Sequence, residues 1–291
     1  MKKLFLVTTG FPYPAKSMET YLETETQYYN SFDEVDIISL GVKRKTLEEK
    51  RNINCECKVK VFPVVFGSKL AYIINGISAF FDMNFYREII ELQKKKKLNF
   101  KRLIRLIIYI SRSHFDVRKA KKILGLNKKK LVKNAIIYCY RFEYQPYVAL
   151  LLAKYFDNPT LIARAHRYDL YEERNSDHYI PARRLLLREF NKVYLISQDG
   201  YDYLSGKFPE YKGKMAISRL GTLNNGIKKC DNKGSCFRIV SCSNMVQVKR
   251  IDRIVSTLSK VKTQKIEWVH FGSGADCQPK RPPVPYLAAS L

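Results

Sequence analysis

Short runs of consecutive apolar residues recur along the chain, and between most of them apolar positions return every three or four residues. Seven such runs, LFLVTT, VDIISL, VKVFPVV, AIIYC, TLIARA, KVYLIS and KMAIS, precede Arg219. Their length and their β-branched and aromatic content suit strands covered on both faces. Strand and helix in alternation predict an α/β fold built on a doubly wound parallel sheet.

Two interruptions divide this pattern. From about residue 69 to 134 the strand runs pause for a helical, strongly basic insertion, and Asn84–Asn134 alone holds 17 Lys and Arg against Glu88, Glu91 and Asp116. Within it, FKRLIRLIIYISR reads as an amphipathic helix. Lys101, Arg102, Arg105 and Arg112 stand on one side, and Phe100, Leu103, Ile104, Ile107 and Ile110 on the other. Such a helix either packs on the core or lies on a membrane surface. The second interruption, LNNGIKKCDNKGSC, is polar and aperiodic and carries two glycines, so residues 223–235 read as a linker after a domain spanning 1–222. A second α/β unit follows at 236–274 with strand FRIVSC, helix RIDRIVSTLSKV and strand IEWVHF. Residues 275–291, rich in proline and without an apolar period, read as an irregular tail.

Composition narrows the class. A chain of 291 residues with 46% hydrophobic content is globular, with one or two domains. Its 53 Lys and Arg against 27 Asp and Glu give a net charge of +26, which favours anionic partners. The opening apolar run, Leu4–Val7, is too short for a secretory segment, and LAYIINGISAFF is too short to span a bilayer. Seven scattered cysteines read as reduced thiols, and no pair stands at a zinc-finger spacing. These readings place the protein in the cytoplasm, without a metal.

Three places carry candidate chemistry. Gly10 directly follows the first strand run, where a ligand can approach the backbone, and a helix beginning near Ser17 would aim its N–H groups there; the alternative is a turn that only closes the βα connection. In RAHRYDLYEER, His166 lies just past a strand end with Asp169 three residues on, flanked by Arg164 and Arg167. At the carboxyl edge of a sheet His166 could donate to a sugar or phosphate oxygen while Asp169 orients it or a substrate hydroxyl. Lys249 and Arg250 stand at the start of a helix, where two cations oppose the positive end of the dipole and a bound pyrophosphate would relieve the conflict.

Together, SCSNMVQVKRIDRIV, WVHFGSG, ARAHRYDLYEER and GFPYP followed by METYLETE resemble the bacterial family 4 retaining glycosyltransferases of the GT-B fold, nearest to those that build capsules and other exopolysaccharides. The resemblance covers about Lys3 to Gly274. It implies a Rossmann-like N-terminal domain for the acceptor and a second Rossmann-like domain for a nucleotide-sugar donor, with no cofactor and no metal. It implies that Gly10 lies near the donor phosphates, that His166 reaches the transferred sugar, and that Lys249 stabilises the leaving nucleotide. The chain departs from the family at two positions: Asn244 stands where an arginine is common, and Arg250 where glycine is common, so Arg250 is expected to supply the charge Asn244 lacks. A further departure is the absence, after HFGSG, of the two donor-binding glutamates seven residues apart. The expectation is therefore a partial C-terminal domain and a truncated, weakly active or inactive form.

The partners implied are a nucleotide sugar, a lipid-linked or free saccharide acceptor, and an anionic membrane surface on the cytoplasmic side. The competing reading is a non-enzymatic basic protein that binds nucleic acid or anionic membrane. Against the nucleic-acid branch, tyrosines and phenylalanines are spread through core elements instead of interleaving with the basic runs, so no nucleic acid is expected.

Overall fold

The computed structural model describes residues 2–14, 19–65, 75–224, 226–227, 236–272 and 274. The chain divides into two compact units, residues 1–224 and 225–291. The expected tail, most of the expected linker, and Ser17 with the helix start assigned to it lie outside the described residues.

The first unit is built on seven strands: β1 (Lys3–Thr8), β2 (Glu34–Val42), β3 (Lys58–Val65), β4 (Ala135–Cys139), β5 (Thr160–Ala165), β6 (Lys192–Leu195) and β7 (Met215–Ile217). Every pairing is parallel, in the order β3-β2-β1-β4-β5-β6-β7. Each strand run read from the sequence is one of these strands, and the α/β fold is as expected. Alternation along β1 explains the two apolar layers. Phe5 and Val7 face one core with Ile38, Leu40 and Ile137, whereas Leu4 and Leu6 face the other with Val35, Ile37 and Tyr138. Pro63, which cannot donate to a ladder, is tolerated because β3 is an edge strand.

Helices α1 (Tyr21–Glu25), α2 (Ile77–Phe80), α3 (Met83–Lys94), α4 (Phe100–Ile123), α5 (Gln145–Leu152), α6 (Arg167–Leu170), α7 (Arg183–Glu189) and α8 (Gln198–Lys207) connect the strands. Their starts are local chemistry: the side chains of Asp82, Asn99 and Ser197 accept from the backbone N–H groups of Asn84, Arg102 and Gly200 at 2.9, 2.9 and 3.1 Å. The insertion is helical as expected, in α2, α3 and α4, and it is fastened to the sheet layer through Asp82, whose carboxylate accepts from Tyr147 Oη at 2.7 Å and lies 2.7 Å from His114 Nε2.

Of the two environments open to α4, packing on the core is the one found. Ile110 belongs to the main core, Leu103 and Ile107 pack against it, and only Phe100 and Ile104 of the expected apolar face are exposed. On the other side, Arg102 donates to the Asp177 carbonyl at 3.0 and 2.8 Å, and Arg105 pairs with the Asp177 carboxylate at 2.7 Å. Those cations are engaged within the protein.

A correction concerns cysteine. Cys55 and Cys57 form a disulfide, their Cα atoms 5.4 Å apart, a separation within bridging range. Among the described residues no helix is long and apolar enough to cross a membrane, and no group of three His, Cys, Asp or Glu side chains is arranged to hold a metal ion.

The second unit comprises parallel strands β8 (Cys236–Cys242) and β9 (Lys265–Phe271) with helix α9 (Ile251–Leu258) between them. None of its described residues is buried.

Candidate functional site

In the first unit the winding reverses at β1, which lies between β2 and β4. Connections on either side of such a point leave to opposite faces of the sheet, and the crevice opened at the carboxyl ends of β1 and β4 is where doubly wound folds bind ligands. Gly10 follows β1 there, Tyr140–Tyr144 follow β4, and His166 follows β5.

The loop after β1 is not left open to an anion. Glu19, 1% exposed, folds back so that its carboxylate accepts from the backbone N–H groups of Thr9 at 2.8 Å, Gly10 at 2.9 Å and Phe11 at 2.9 Å. Arg141 Nε stands 3.7 Å from the same carboxylate. Three successive amides aimed at one point form an anion-binding concavity, and here the protein's own side chain fills it. Gln145, fully buried at the start of α5, donates to Thr9 Oγ1 at 2.8 Å and ties this loop to the next connection.

Asp169 is a brace. One carboxylate oxygen accepts from Phe142 N at 2.9 Å and the other from His166 N at 2.6 Å, so it clamps the loops after β4 and β5 together. Arg183 locks the same junction by donating to the carbonyls of Phe142 at 3.0 Å and Asp169 at 2.5 Å. Burial raises the Asp169 carboxyl to about 6, against the opposing pull of those N–H bonds and of Arg141 and Arg183. With one backbone bond to each oxygen, Asp169 holds the two loops together and orients the His166 backbone.

The His166 ring lies over Tyr140, centroids 4.7 Å apart. Among the described residues neither ring nitrogen has a side-chain hydrogen-bond partner. Burial, reinforced by the positive charges of Arg141 and Arg164, pushes the imidazole down to about 3, so it is neutral at pH 7. Its Nδ1 lies 3.9 Å from Asp169, too long for a hydrogen bond. Buried polar groups without partners are uncommon in native structures. Arg164 is engaged elsewhere: it pairs with Glu25 and donates to Ser218 Oγ at 3.3 Å.

Beside the crevice, a cavity of about 150 Å³ is lined by Arg105, Ile108 and Arg112 of α4 together with Tyr144, Tyr168 and Pro181. The Arg112 guanidinium lies 3.8 Å from the Tyr144 ring centroid. Beneath it, burial raises the Asp116 carboxyl to about 7 despite the Arg112 charge.

In the second unit, Lys249 ends a short turn, Gln247–Lys249, and is exposed, with no partner for its ammonium among the described residues. Arg250 follows with φ 51° and ψ 45°, the left-handed region that disfavours every side chain except glycine's hydrogen, and α9 begins at Ile251. Its guanidinium is bonded to Asp252, 3.2 Å from Oδ1 and 3.0 Å from Oδ2. Gly272 closes against the opposite loop, where a Cβ atom would stand 1.7 Å from the Ser243 carbonyl oxygen. A polar ladder fixes that loop. His270 Nε2–H donates to Ser243 O at 3.0 Å, which leaves Nδ1 to accept from Ser241 Oγ at 2.8 Å, and that hydroxyl accepts from Trp268 Nε1 at 2.9 Å.

Gly10, His166 and Asp169 thus lie at one crevice in the first unit, and Lys249 and Arg250 are adjacent in the second. Glu19 and Arg141 were not singled out in the sequence. Arg141 had a signal, a cation two residues past a strand that turns out to neighbour β1. Glu19 had none, because its partners are backbone amides.

The sequence matches no protein-family profile and no curated protein. Solved structures supply the fold. A TarM variant from S. aureus, crystallised with fondaparinux, alpha-GlcNAc-glycerol and UDP, is 11% identical with a TM-score of 0.52 over 95% of this chain and 73% of its own. Anabaena HepE with UDP and glucose is 13% identical with a TM-score of 0.51, over 94% and 62%. The catalytic domain of Starch Synthase IV from Arabidopsis thaliana, bound to ADP and acarbose, is 10% identical with a TM-score of 0.52, over 94% and 69%. The chain has the GT-B glycosyltransferase fold.

Proposed function

We propose that this chain is a glycosyltransferase of the family 4 type that takes a sugar from a nucleotide-sugar donor and passes it to a saccharide acceptor, lipid-linked in the exopolysaccharide or capsule setting. The observation that carries the reading is the neutral, unpartnered His166 ring at the switch-point crevice of a sheet shared with structures bound to UDP or ADP. An imidazole held uncharged offers one N–H donor and one acceptor to sugar hydroxyls. In transfer, the bond between the anomeric carbon and the phosphate oxygen breaks, the acceptor hydroxyl forms the new bond and passes its proton to the departing diphosphate, on which negative charge gathers. In this reading Lys249 of the second unit supplies a cation to that charge.

Among the described residues of the second unit the carboxylates are Asp252 and Glu267, and both are ion-paired, with Arg250 and Arg238. Calorimetric titration with UDP, ADP and UDP-glucose checks the donor half of the reading. Binding of the diphosphates, weakened by Lys249→Ala, is the expected result. No diphosphate binding at all, or binding that Lys249→Ala leaves unchanged, would sink the reading.

A further inference from the structure

The Cys55–Cys57 disulfide spans a single intervening residue. The stabilisation a cross-link gives grows with the length of chain it closes, so this one contributes little as a staple. Both cysteines are half-buried at the rim of the apolar layer that holds Leu4 and Leu6, and Glu56 between them is exposed. Cys139, by contrast, is fully buried, and burial pushes its thiol well above the ordinary range. Residues 51–56, which lead into the pair, form a strap. Arg51 N donates to the Pro12 carbonyl, in the loop after β1, at 2.8 Å. Asn54 donates from its backbone to Thr26 Oγ1 and from its side chain to the Glu23 carbonyl, both at 3.1 Å. Glu56 N donates to Asn30 Oδ1 at 2.9 Å, and Cys55 Sγ lies 3.3 Å from the same oxygen. One short segment thus joins the loop that carries Gly10, helix α1 and the turn after it, and the disulfide fixes its end beside the start of β3.

A cross-link that stabilises little, is open to a reagent and holds the end of such a strap fits reversible chemistry better than a structural role. We propose that Cys55 and Cys57 form a thiol–disulfide exchange site for a dithiol reductant, and that reduction loosens the strap's hold on the loop after β1. A thiolate of the reductant attacks one sulfur, the S–S bond breaks, and the other cysteine leaves as a thiol while a mixed disulfide forms. The second thiolate of the reductant then attacks its own sulfur in that mixed disulfide and releases the first cysteine. Two electrons and two protons pass to the pair, and the reductant departs as a disulfide. The inference does not rest on sugar transfer and is tested without any sugar.

The test equilibrates the full, folded chain with graded ratios of reduced to oxidised dithiothreitol, traps thiols with iodoacetamide and weighs the cysteine peptides. Before reduction Cys55 and Cys57 should resist alkylation and be found bridged to each other. With rising reductant both should become alkylated while circular dichroism holds steady, and Cys139 should stay protected until urea unfolds the chain. Amide exchange supplies the second readout, in the reduced parent and in Cys55→Ser/Cys57→Ser. In both, the amides of Arg51, Asn54 and Glu56 should exchange about tenfold faster, the worth of one hydrogen bond, and those of Thr9, Gly10 and Phe11 a few fold faster. Alkylation before any reductant is added, opening only together with Cys139, or a bridge to another cysteine would each overturn the proposal. So would exchange along the strap and the loop after β1 that reduction leaves unchanged.

Discussion

The two loops read as phosphate-facing, after β1 in the first unit and after β8 in the second, solve the same electrostatic problem in opposite ways. After β1, three backbone amides converge and Glu19 fills the space they surround, with Arg141 behind it. After β8, two cations meet a helix start, Lys249 stays open, and Arg250 takes a strained backbone and leans on the helix's own Asp252. The first unit has two buried cores beneath its loop; the second has no buried residue among those described. Charge is neutralised internally where the surroundings are dry and left to solvent where they are wet, because an uncompensated charge is costly only away from water. Anion capture is thus preorganised by backbone in one unit and left to exposed side chains in the other.

The strongest way to break this comparison is to empty the first loop. Glu19→Ala would leave three amides and Arg141 without their shared acceptor, and removing one partner of a buried charged cluster costs about 3–5 kcal/mol. Urea unfolding should show a loss of that order. Glu19→Gln should lose less, since its amide oxygen can still accept from one side of the loop. A loss below about 1 kcal/mol for the alanine variant would mean that the loop does not depend on Glu19.

How far these features were legible in the sequence follows from the range over which each is determined. The strand runs could be read because a parallel sheet buries both faces and leaves an uninterrupted apolar signature, and His166 could be placed at a strand end for the same reason. The α4 pattern gave the right helix and left its environment open, because amphipathicity separates two sides without saying what lies against either. Asp177, which engages Arg102 and Arg105, is more than seventy residues away. The contacts of Asp169 with the amides of Phe142 and His166 were not legible, because spacing cannot distinguish a carboxylate turned to a ligand from one turned back to the backbone. The backbone demand at Arg250 was visible only through the glycine common there in the family it resembles.

A smaller effect, resolved by titration, sharpens the dry side of the comparison. His166, lowered to about 3, stays neutral in the folded protein while the unfolded chain takes up a proton below about 6.5. The unfolded state then binds more protons, so this group's contribution to stability is lost as pH falls from about 6.5 toward 3. Asp169, raised to about 6, and Asp116, raised to about 7, act in the other sense. The folded state holds their protons where the unfolded state has released them, so stability is lost as pH rises from about 4 through those values. Because the contributions oppose each other, the net stability change is small and a global melt is a poor readout. The histidine ring resonances resolve it: the His166 C–H signals should not move between pH 8 and pH 5, whereas exposed histidines titrate near 6.5. A midpoint near 6.5 for His166 would show the ring open to water and remove the support for an uncharged sugar contact.

The smallest expected effect tests the wet side. Arg250 holds φ 51° and ψ 45°, a conformation that costs a residue with a Cβ roughly 1–2 kcal/mol and costs glycine little. Its compensation, the pair with Asp252, is open to solvent on both sides, where such pairs contribute little and are screened by salt. Relief of backbone strain should therefore outweigh the lost pair in Arg250→Gly. Amide exchange in α9 should slow by a few fold, and more clearly in high salt, where the wild-type pair is already weakened. If Arg250 also supplies charge to a diphosphate, the same variant should bind UDP more weakly while its α9 amides become better protected, so strain relief and ligand contact are separated by one substitution. Faster exchange in α9 would instead show that the Arg250–Asp252 pair holds the helix start, and the left-handed backbone there would no longer count as strain.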